Sequence, residues 1–246
     1  MDLNDKNAVI TGASRGVGAA FVKTLIEKGV HVYGLARSLD ALNNLQDHIG
    51  NHFTPVRMDI TDRDTLEGWI TRTFSDENTP DILINNAGSG QFGKIDDMGP
   101  EQWRSMIDTN LNGIYDLTSR IVPMMKKSDN SSHIINMGSI LGTVGNPEMS
   151  GYCATKFAVR GFSESLFKEL RYDNIKVTCL NPGSIQTDFF ENAGIQAHNH
   201  MLQPKDVAET VVHILETPDN MLINEVTMRP LNPKPPVDGE DEAQGA

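Results

Sequence analysis

Short apolar runs alternate along the chain with longer stretches in which apolar residues recur every three or four positions. Ala8-Val9-Ile10, bounded by polar Asn7 and by Thr11-Gly12, reads as a buried strand. Phe21, Val22, Leu25 and Ile26 follow at helical spacing, and Gly29 stops that helix. Val30 to Leu35 reads as a second strand. The alternation continues with a helix over Leu39 to His48 and a strand from Phe53 to Met58 that contains Pro55. A helix over 62–75 comes next, with Thr61 as its N-cap and Asp62 and Asp64 in its first turn. Asp81 to Asn85 reads as a strand, and Pro100 stands near the start of a long helix running to about Met124, its end perturbed by Pro123. His133 to Met137 (strand), Gly151 to Tyr172 (helix) and Lys176 to Leu180 (strand) complete the main series. Residues 184–203 look irregular, Pro204 opens a helix over 204–216, and a last strand lies at about 222–227.

Strands alternating with helices predict an α/β fold, a parallel sheet with helices on both faces. A chain of 246 residues with 38% hydrophobic content can build a substantial core as one large domain or two small ones. The formal net charge of −12 argues against a nucleic-acid phosphate backbone as partner. Two cysteines, Cys153 and Cys179, are too few for a disulfide scaffold and fit a reducing compartment. The polar start Met1-Asp2-Leu3-Asn4-Asp5-Lys6 carries no apolar signal region, and no run reaches the ~18 apolar residues of a membrane span. A cytoplasmic protein with no membrane partner is expected. Residues 231–246 are rich in Pro, Gly and acid and read as a mobile tail or, alternatively, a docked C-terminal arm.

The candidate chemistry lies at two places. Between the first strand and its helix stands TGASRGVG, with Gly12, Ser14, Arg15, Gly16, Val17 and Gly18. Such glycines let backbone N–H groups approach a pyrophosphate over the helix N-terminus, although a plain tight turn would look similar. Further on, Tyr152 and Lys156 are four residues apart and share a face of their helix. An ammonium beside a phenol favours the tyrosinate, which makes Tyr152 a candidate general acid or base. Taken alone, the pair also reads as an exposed helical contact.

Taken in order, TGASRGVG, Asp59, Asn85-Asn86-Ala87-Gly88, Asn110, Ser139, the Tyr152-Cys-Ala-Thr-Lys156 stretch and Asn181-Pro182-Gly183 resemble the short-chain dehydrogenase/reductase family over about residues 5–230. The resemblance implies one doubly wound Rossmann domain over 1–230, with seven strands in the order 3-2-1-4-5-6-7, and a nicotinamide cofactor. It implies that Tyr152 donates a proton during carbonyl reduction, and that Lys156 holds the nicotinamide ribose and favours ionisation of the phenol. It further implies that Ser139 hydrogen-bonds the substrate oxygen and that Asn110 helps hold a water linked to Lys156. Asp59, followed by Ile60, would meet the adenine; Asn86, Ala87 and Gly88 would lie beside the adenosine ribose. Pro182 and Gly183 would wall the nicotinamide, with Ile185 (through its backbone) and Thr187 at the carboxamide. Residues 184–203 would form a substrate lid.

An NAD enzyme places an acid at the end of the second strand. Here the stretch is Leu35-Ala36-Arg37-Ser38, and Arg15 adds a second guanidinium. Two arginines suit a 2′-phosphate, with Ser38 as a further donor, so NADP(H) is the expected cofactor. The lid carries Phe189, Phe190, Ile195, Met201 and Leu202 but no Lys or Arg, which favours a neutral carbonyl compound. Gln91, Phe92, Leu141, Asn146 and Met149 lie in loops expected to reach the same cleft. His198 and His200 lack further metal ligands nearby and read as lid or surface residues. Small residues Ala154, Ala158 and Gly161 suit close helix packing, and the resemblance implies a homodimer or homotetramer. The expected activity is NADP(H)-dependent carbonyl reduction or alcohol oxidation. The alternative is a non-catalytic NADP(H)-binding regulator on the same fold.

Overall fold

The computed structural model describes residues 1–189 and 194–236. Seven strands form one sheet: β1 (Asn7–Thr11), β2 (His31–Ala36), β3 (Phe53–Arg57), β4 (Ile82–Asn85), β5 (Ser132–Met137), β6 (Ile175–Pro182) and β7 (Glu225–Met228). Their order is β3-β2-β1-β4-β5-β6-β7, and every pairing is parallel, as the sequence predicts. The interior strands β4, β5 and β6 are buried along their whole length, which a parallel sheet covered on both faces requires. The outer strands β3 and β7 are only partly buried. Pro55 is accommodated on the edge strand β3, where its missing N–H costs no interior ladder bond.

The helices are α1 (Gly16–Glu27), α2 (Leu39–Ile49), α3 (Arg63–Thr73), α4 (Pro100–Ile107), α5 (Gly113–Met125), α6 (Ser150–Leu170) and α7 (Pro204–Leu215). One apolar layer joins Phe21, Val22 and Leu25 of α1, Leu42 of α2, and Val207, Val211 and Leu215 of α7 to one face of the sheet. The other joins Leu66 and Ile70 of α3, Leu117 and Ile121 of α5, and Leu166 and Leu170 of α6 to the opposite face. The stripe of α1 is the one that the spacing of Phe21, Val22 and Leu25 predicts.

Two local expectations change. The N-cap of α3 is Asp62, not Thr61: the Asp62 carboxylate accepts from Thr65 N at 3.1 Å, while Thr61 N and Oγ1 donate to Asp59 at 3.0 and 2.8 Å. The expected long helix from Pro100 is two helices joined by a π-helical turn, Asp108–Asn112, closed by the Gly113 N–H bonding back to Asp108 O. The extra residue of a π-helical turn shifts the phase of the apolar stripe, but α4 is short and buries Met106 alone of its apolar residues, so the shift does not show in the sequence pattern. Pro123 falls in the last turn of α5, where the helix is already ending. Of the tail, residues 237–246 lie outside the described residues, and the strand expected at 222–227 is the shorter Glu225–Met228.

Candidate active site

The helix α6 brings Gly151, Tyr152, Thr155, Lys156, Val159 and Ser163 to its buried face, at spacings of three and four. Gly151 permits the approach of α4: a Cβ there would stand 2.6 Å from Met106 Cε and 3.3 Å from a Trp103 ring carbon. Tyr152 and Lys156 are each 5% exposed. The Lys156 Nζ donates to Met137 O at 2.7 Å and stands 5.6 Å from the Tyr152 ring centre. Burial pushes the Lys156 ammonium down to about 8. Burial also raises the Tyr152 phenol above its ordinary value, and a hydrogen bond from Ser139 offsets part of that rise. The Tyr152–Lys156 spacing predicts an easily ionised phenol; burial instead raises it, and Tyr152 keeps its proton at neutral pH.

Ser139 follows β5 and is buried; its Oγ accepts from Leu141 N at 3.1 Å and bonds the Tyr152 side chain. Behind it, Gly138 is required by contact, because a Cβ there would lie 2.1 Å from Asn181 Oδ1. Asn181 Nδ2 donates to Glu225 Oε1 at 3.1 Å, and that oxygen also accepts from Arg160 Nε at 2.8 Å. Glu225 of β7 thus ties α6 to the end of β6.

Asn110 occupies the π-helical turn and is fully buried. Its Oδ1 accepts from Ser89 N at 2.7 Å, and its Nδ2 donates to Ser89 O at 2.8 Å and Thr155 Oγ1 at 3.1 Å. Thr155 in turn donates to Tyr152 O at 2.8 Å. The side chain of Asn110 is therefore spent on holding the loop after β4 against α6. Gly88 lies between these groups, its would-be Cβ 3.5 Å from Asn110 Oδ1 and 4.0 Å from Lys156 Nζ.

The glycine turn is compact. Gly12 has φ +65° and Gly18 has no room for a side chain, since a Cβ would stand 2.0 Å from Gly12 O and 2.7 Å from Asn86 Nδ2. Asn86 Nδ2 donates to Thr11 O at 2.9 Å and Gly12 O at 3.2 Å. Thr11 Oγ1 accepts from Asn86 N and Ala87 N at 3.0 and 2.9 Å, fastening the loop after β4 to β1. The N-terminus of α1 has no side-chain cap and no acid in its first turn, which suits an anion. Ser14 and Val17 flank this turn and are half-buried. Thr187 reaches the turn from the other side of the cleft: its Cγ2 lies 3.3 Å from the Cβ position of Gly16.

Arg15 and Arg37 are exposed, and among the described residues neither side chain has an ion-pair or hydrogen-bond partner. Ser38 caps α2, accepting from Ala41 N at 3.3 Å, rather than standing free. Asp59 is exposed and bonded to Thr61, while Ile60 is buried and packs on Gly113.

Pro182 ends β6, and Gly183 N donates to Met228 O at 2.7 Å. Residues 184–203 leave and return at one point, where Ile185 bridges Leu202. The bridging bonds use Gln186 N to Leu202 O at 2.9 Å and Leu202 N to Ser184 O at 3.0 Å, so the amide and carbonyl of Ile185 are not used by the bridge. Residues 190–193 of this segment, including Phe190, lie outside the described residues. Phe92 and Phe189 both stand against the Tyr152 ring, at centroid distances of 5.8 and 5.7 Å. His198 and His200 meet edge to face at 6.0 Å.

Sequence reading named Thr11 and Thr155 only as members of motifs, without a role, and did not name Arg160 or Glu225. Thr11 precedes the glycine turn and Thr155 precedes Lys156, so adjacency to a motif was the available signal. Arg160 and Glu225 meet across 65 positions of chain, and no local pattern announces them.

The sequence profile of the family described as short chain dehydrogenase matches residues 6–198. An uncharacterized oxidoreductase of Staphylococcus epidermidis is 32% identical over 229 residues, which is 93% of this chain and 99% of that protein. The 3-oxoacyl-acyl-carrier-protein reductase of Haemophilus influenzae is 34% identical over 222 residues, 86% of this chain and 91% of its own. The structure of a metagenomic short-chain oxidoreductase in complex with NADP aligns with TM-score 0.81 and 30% identity, covering 94% of this chain and all (100%) of that one.

Proposed function

The chain belongs to the short-chain dehydrogenase family, and from that premise we propose that it is an NADP(H)-dependent oxidoreductase interconverting a small neutral carbonyl compound and its alcohol. The observation that carries the reading is the buried group of Tyr152, Ser139 and Lys156, in which the Ser139 hydroxyl bonds the Tyr152 phenol and the Lys156 Nζ stands 5.6 Å from the Tyr152 ring centre.

The residues fit the cofactor. The uncapped start of α1 and the glycine turn at Gly12, Ser14, Gly16, Val17 and Gly18 would take the pyrophosphate. Arg15 and Arg37 would take the 2′-phosphate, and the absence of an acid at 35–38 supports NADP(H) over NAD(H). The NADP complex of the metagenomic relative supports the same choice. Asp59, Ile60, Asn86, Ala87 and Gly88 would line the adenosine, with Pro182, Gly183, Ile185 and Thr187 at the nicotinamide. When bound, NADPH supplies the hydride for the carbonyl carbon and leaves as NADP⁺.

The chain's own groups manage the oxygen. Ser139 and Tyr152 donate hydrogen bonds where negative charge develops, which stabilises it in a site closed to bulk water. Tyr152 then gives its proton to that oxygen, completing the alcohol. Lys156, protonated below about pH 8, stabilises the resulting tyrosinate and would hold the ribose. Asn110 keeps the loop after β4 and α6 in register, which fixes the position of Tyr152.

Residues 184–203 would cover the substrate as a lid on the 1–230 domain. Exposed Tyr115 of α5 and Phe157 of α6 support assembly of two or four copies through these helices. No helix among the described residues is long and apolar enough to cross a membrane, and we assign the enzyme to the cytoplasm. The test is loss of NADPH absorbance with a panel of ketones, aldehydes and diketones, run in parallel with NADH. Turnover at a lower KM for NADPH is expected. Binding of NADPH without turnover across the panel would instead favour a regulatory role.

A further inference from the structure

Three rings meet at the reactive tyrosine. Phe92 stands edge-on to Tyr152, with an interplanar angle of 70° at 5.8 Å; Phe189 is tilted by 53° at 5.7 Å; and the two phenylalanines touch at 6.4 Å and 70°. All three contacts lie in the 4.5–7 Å range of favourable aromatic pairs. The rings converge on Gly90, where a Cβ would stand 2.4 Å from Phe92 Cζ and 3.1 Å from Phe189 Cε1. Gly90 is thus the opening into which the two ring edges fit.

The two phenylalanines are held differently. Phe92 is fixed on both sides by its backbone neighbours, through Gly93 N to Glu148 O at 2.7 Å and Gln91 N to Met106 Sδ at 3.3 Å. Glu148 adopts φ +62° to present that carbonyl, a conformation a non-glycine residue takes only when its surroundings hold it there. Phe189 sits four residues past the Ile185–Leu202 bridge, on the segment whose ends that bridge joins. One ring is a fixed wall and the other belongs to the lid.

Charge at the cleft is as one-sided as shape. Across residues 86–99, 138–149 and 184–203 there is one lysine or arginine, Lys94, and it is exposed. The buried ammonium beside Tyr152, Lys156, is already bonded to Met137 O. Besides exposed Lys94 and Arg229, whose Cα lies 3.6 Å from the Cβ position of Gly183, the described residues of these loops bring no cation to a carboxylate or phosphate on the substrate.

Resting on the reductase reading above, we infer that the substrate is an uncharged carbonyl compound with an aryl or similarly flat apolar group directly beside the carbonyl, seated against the packed pair of Phe92 and Phe189 that flanks Tyr152. The carbonyl oxygen reaches Ser139 and Tyr152, and the flat group lies along the rings that flank Tyr152. The reaction is the one already described: a hydride to the carbonyl carbon from NADPH and a proton to the oxygen from Tyr152.

Two matched pairs of probes test this with NADPH. 1-Phenyl-1,2-propanedione and 2,3-butanedione share an activated dicarbonyl and differ by phenyl against methyl. Methyl benzoylformate and benzoylformate share the aryl ketone and differ by charge. We expect kcat/KM at least ~10-fold higher for the phenyl diketone and for the neutral ester, within the span that pocket contacts give. The phenyl-to-methyl ratio falls toward unity in Phe92→Ala and in Phe189→Ala. Gly90→Val, whose side chain would displace the Phe92 ring from its place on Gly90, lowers the ratio as well, and its thermal unfolding reports that the fold is retained. Turnover of butanedione equal to the phenyl diketone, preference for the anion, or a ratio unchanged in all three variants overturns the inference and leaves the reductase reading standing. No NADPH consumption with any of the four probes overturns the reductase reading itself, and this inference with it.

Discussion

Tyr152 has two unlike sides. On one, hydrogen bonds fix everything near it: Ser139 to its hydroxyl, Thr155 to its carbonyl, Asn110 to Thr155 and Ser89, and Lys156 to Met137 O. On the other, the rings of Phe92 and Phe189 stand against its own at centroid distances of 5.8 and 5.7 Å. Hydrogen bonds specify distance and direction, so the first side admits one arrangement of donors and hence one chemistry. Ring contacts specify area and outline, so the second side selects a class of shapes. The contrast separates what the enzyme does from what it does it to.

Substitutions on the bonded side should bring the larger losses. Lys156→Met removes the charge that stabilises the tyrosinate and leaves Met137 O without its donor; kcat should fall by ~10²-fold or more. The same residue sets the alkaline limit. Its ammonium is present below about pH 8 and is lost as pH rises through that value, so wild-type reduction should decline above about pH 8. A pH–rate profile of both proteins checks this, because the variant should lack that decline.

The glycine-turn end is a graded case, since Arg15 and Arg37 have no side-chain partner among the described residues while the turn itself is tight. Arg37→Asp should raise the KM for NADPH by ~10–100-fold, the value of one or two charge-assisted hydrogen bonds. The KM for NADH should change little or fall, and steady-state kinetics with both cofactors reads the ratio. An unchanged ratio would mean that Arg37 is solvated surface charge.

Farther from the chemistry, Glu225→Ala removes the shared acceptor of Arg160 Nε and Asn181 Nδ2. The expected loss is about 1 kcal/mol, or ~2–4 °C in melting temperature, with kcat reduced less than tenfold. Differential scanning calorimetry beside kinetics separates the two effects. A kcat loss as large as that of Lys156→Met would mean that the bonded side extends through Asn181 to the sheet edge.

The same division explains what the sequence made legible. Strand order and sheet direction followed from buried apolar runs alternating with amphipathic helices, and from a resemblance carried by motifs in order. Tyr152, Lys156 and Ser139 could be found because each lies in or beside a short motif. Asn110 was found by its setting, but its partners Ser89 and Thr155 were not, because they are 21 and 45 positions away. The π-helical turn that points it inward has no compositional mark. Thr61 and Asp62 are adjacent candidate caps, and only the geometry decided between them. Phe92 and Phe189 were seen as apolar residues near the cleft, while their meeting over Gly90 depends on two distant loops.

The most direct test of the central claim is Tyr152→Phe, which removes one oxygen and keeps the ring that Phe92 and Phe189 pack against. NADPH binding, followed by fluorescence titration, should stay within a few-fold of wild type, while carbonyl reduction should fall by ~10²–10⁴-fold, the range for a lost general acid. Reduction at the wild-type rate in Tyr152→Phe, with NADPH still bound, would contradict the assignment of Tyr152 as the proton donor.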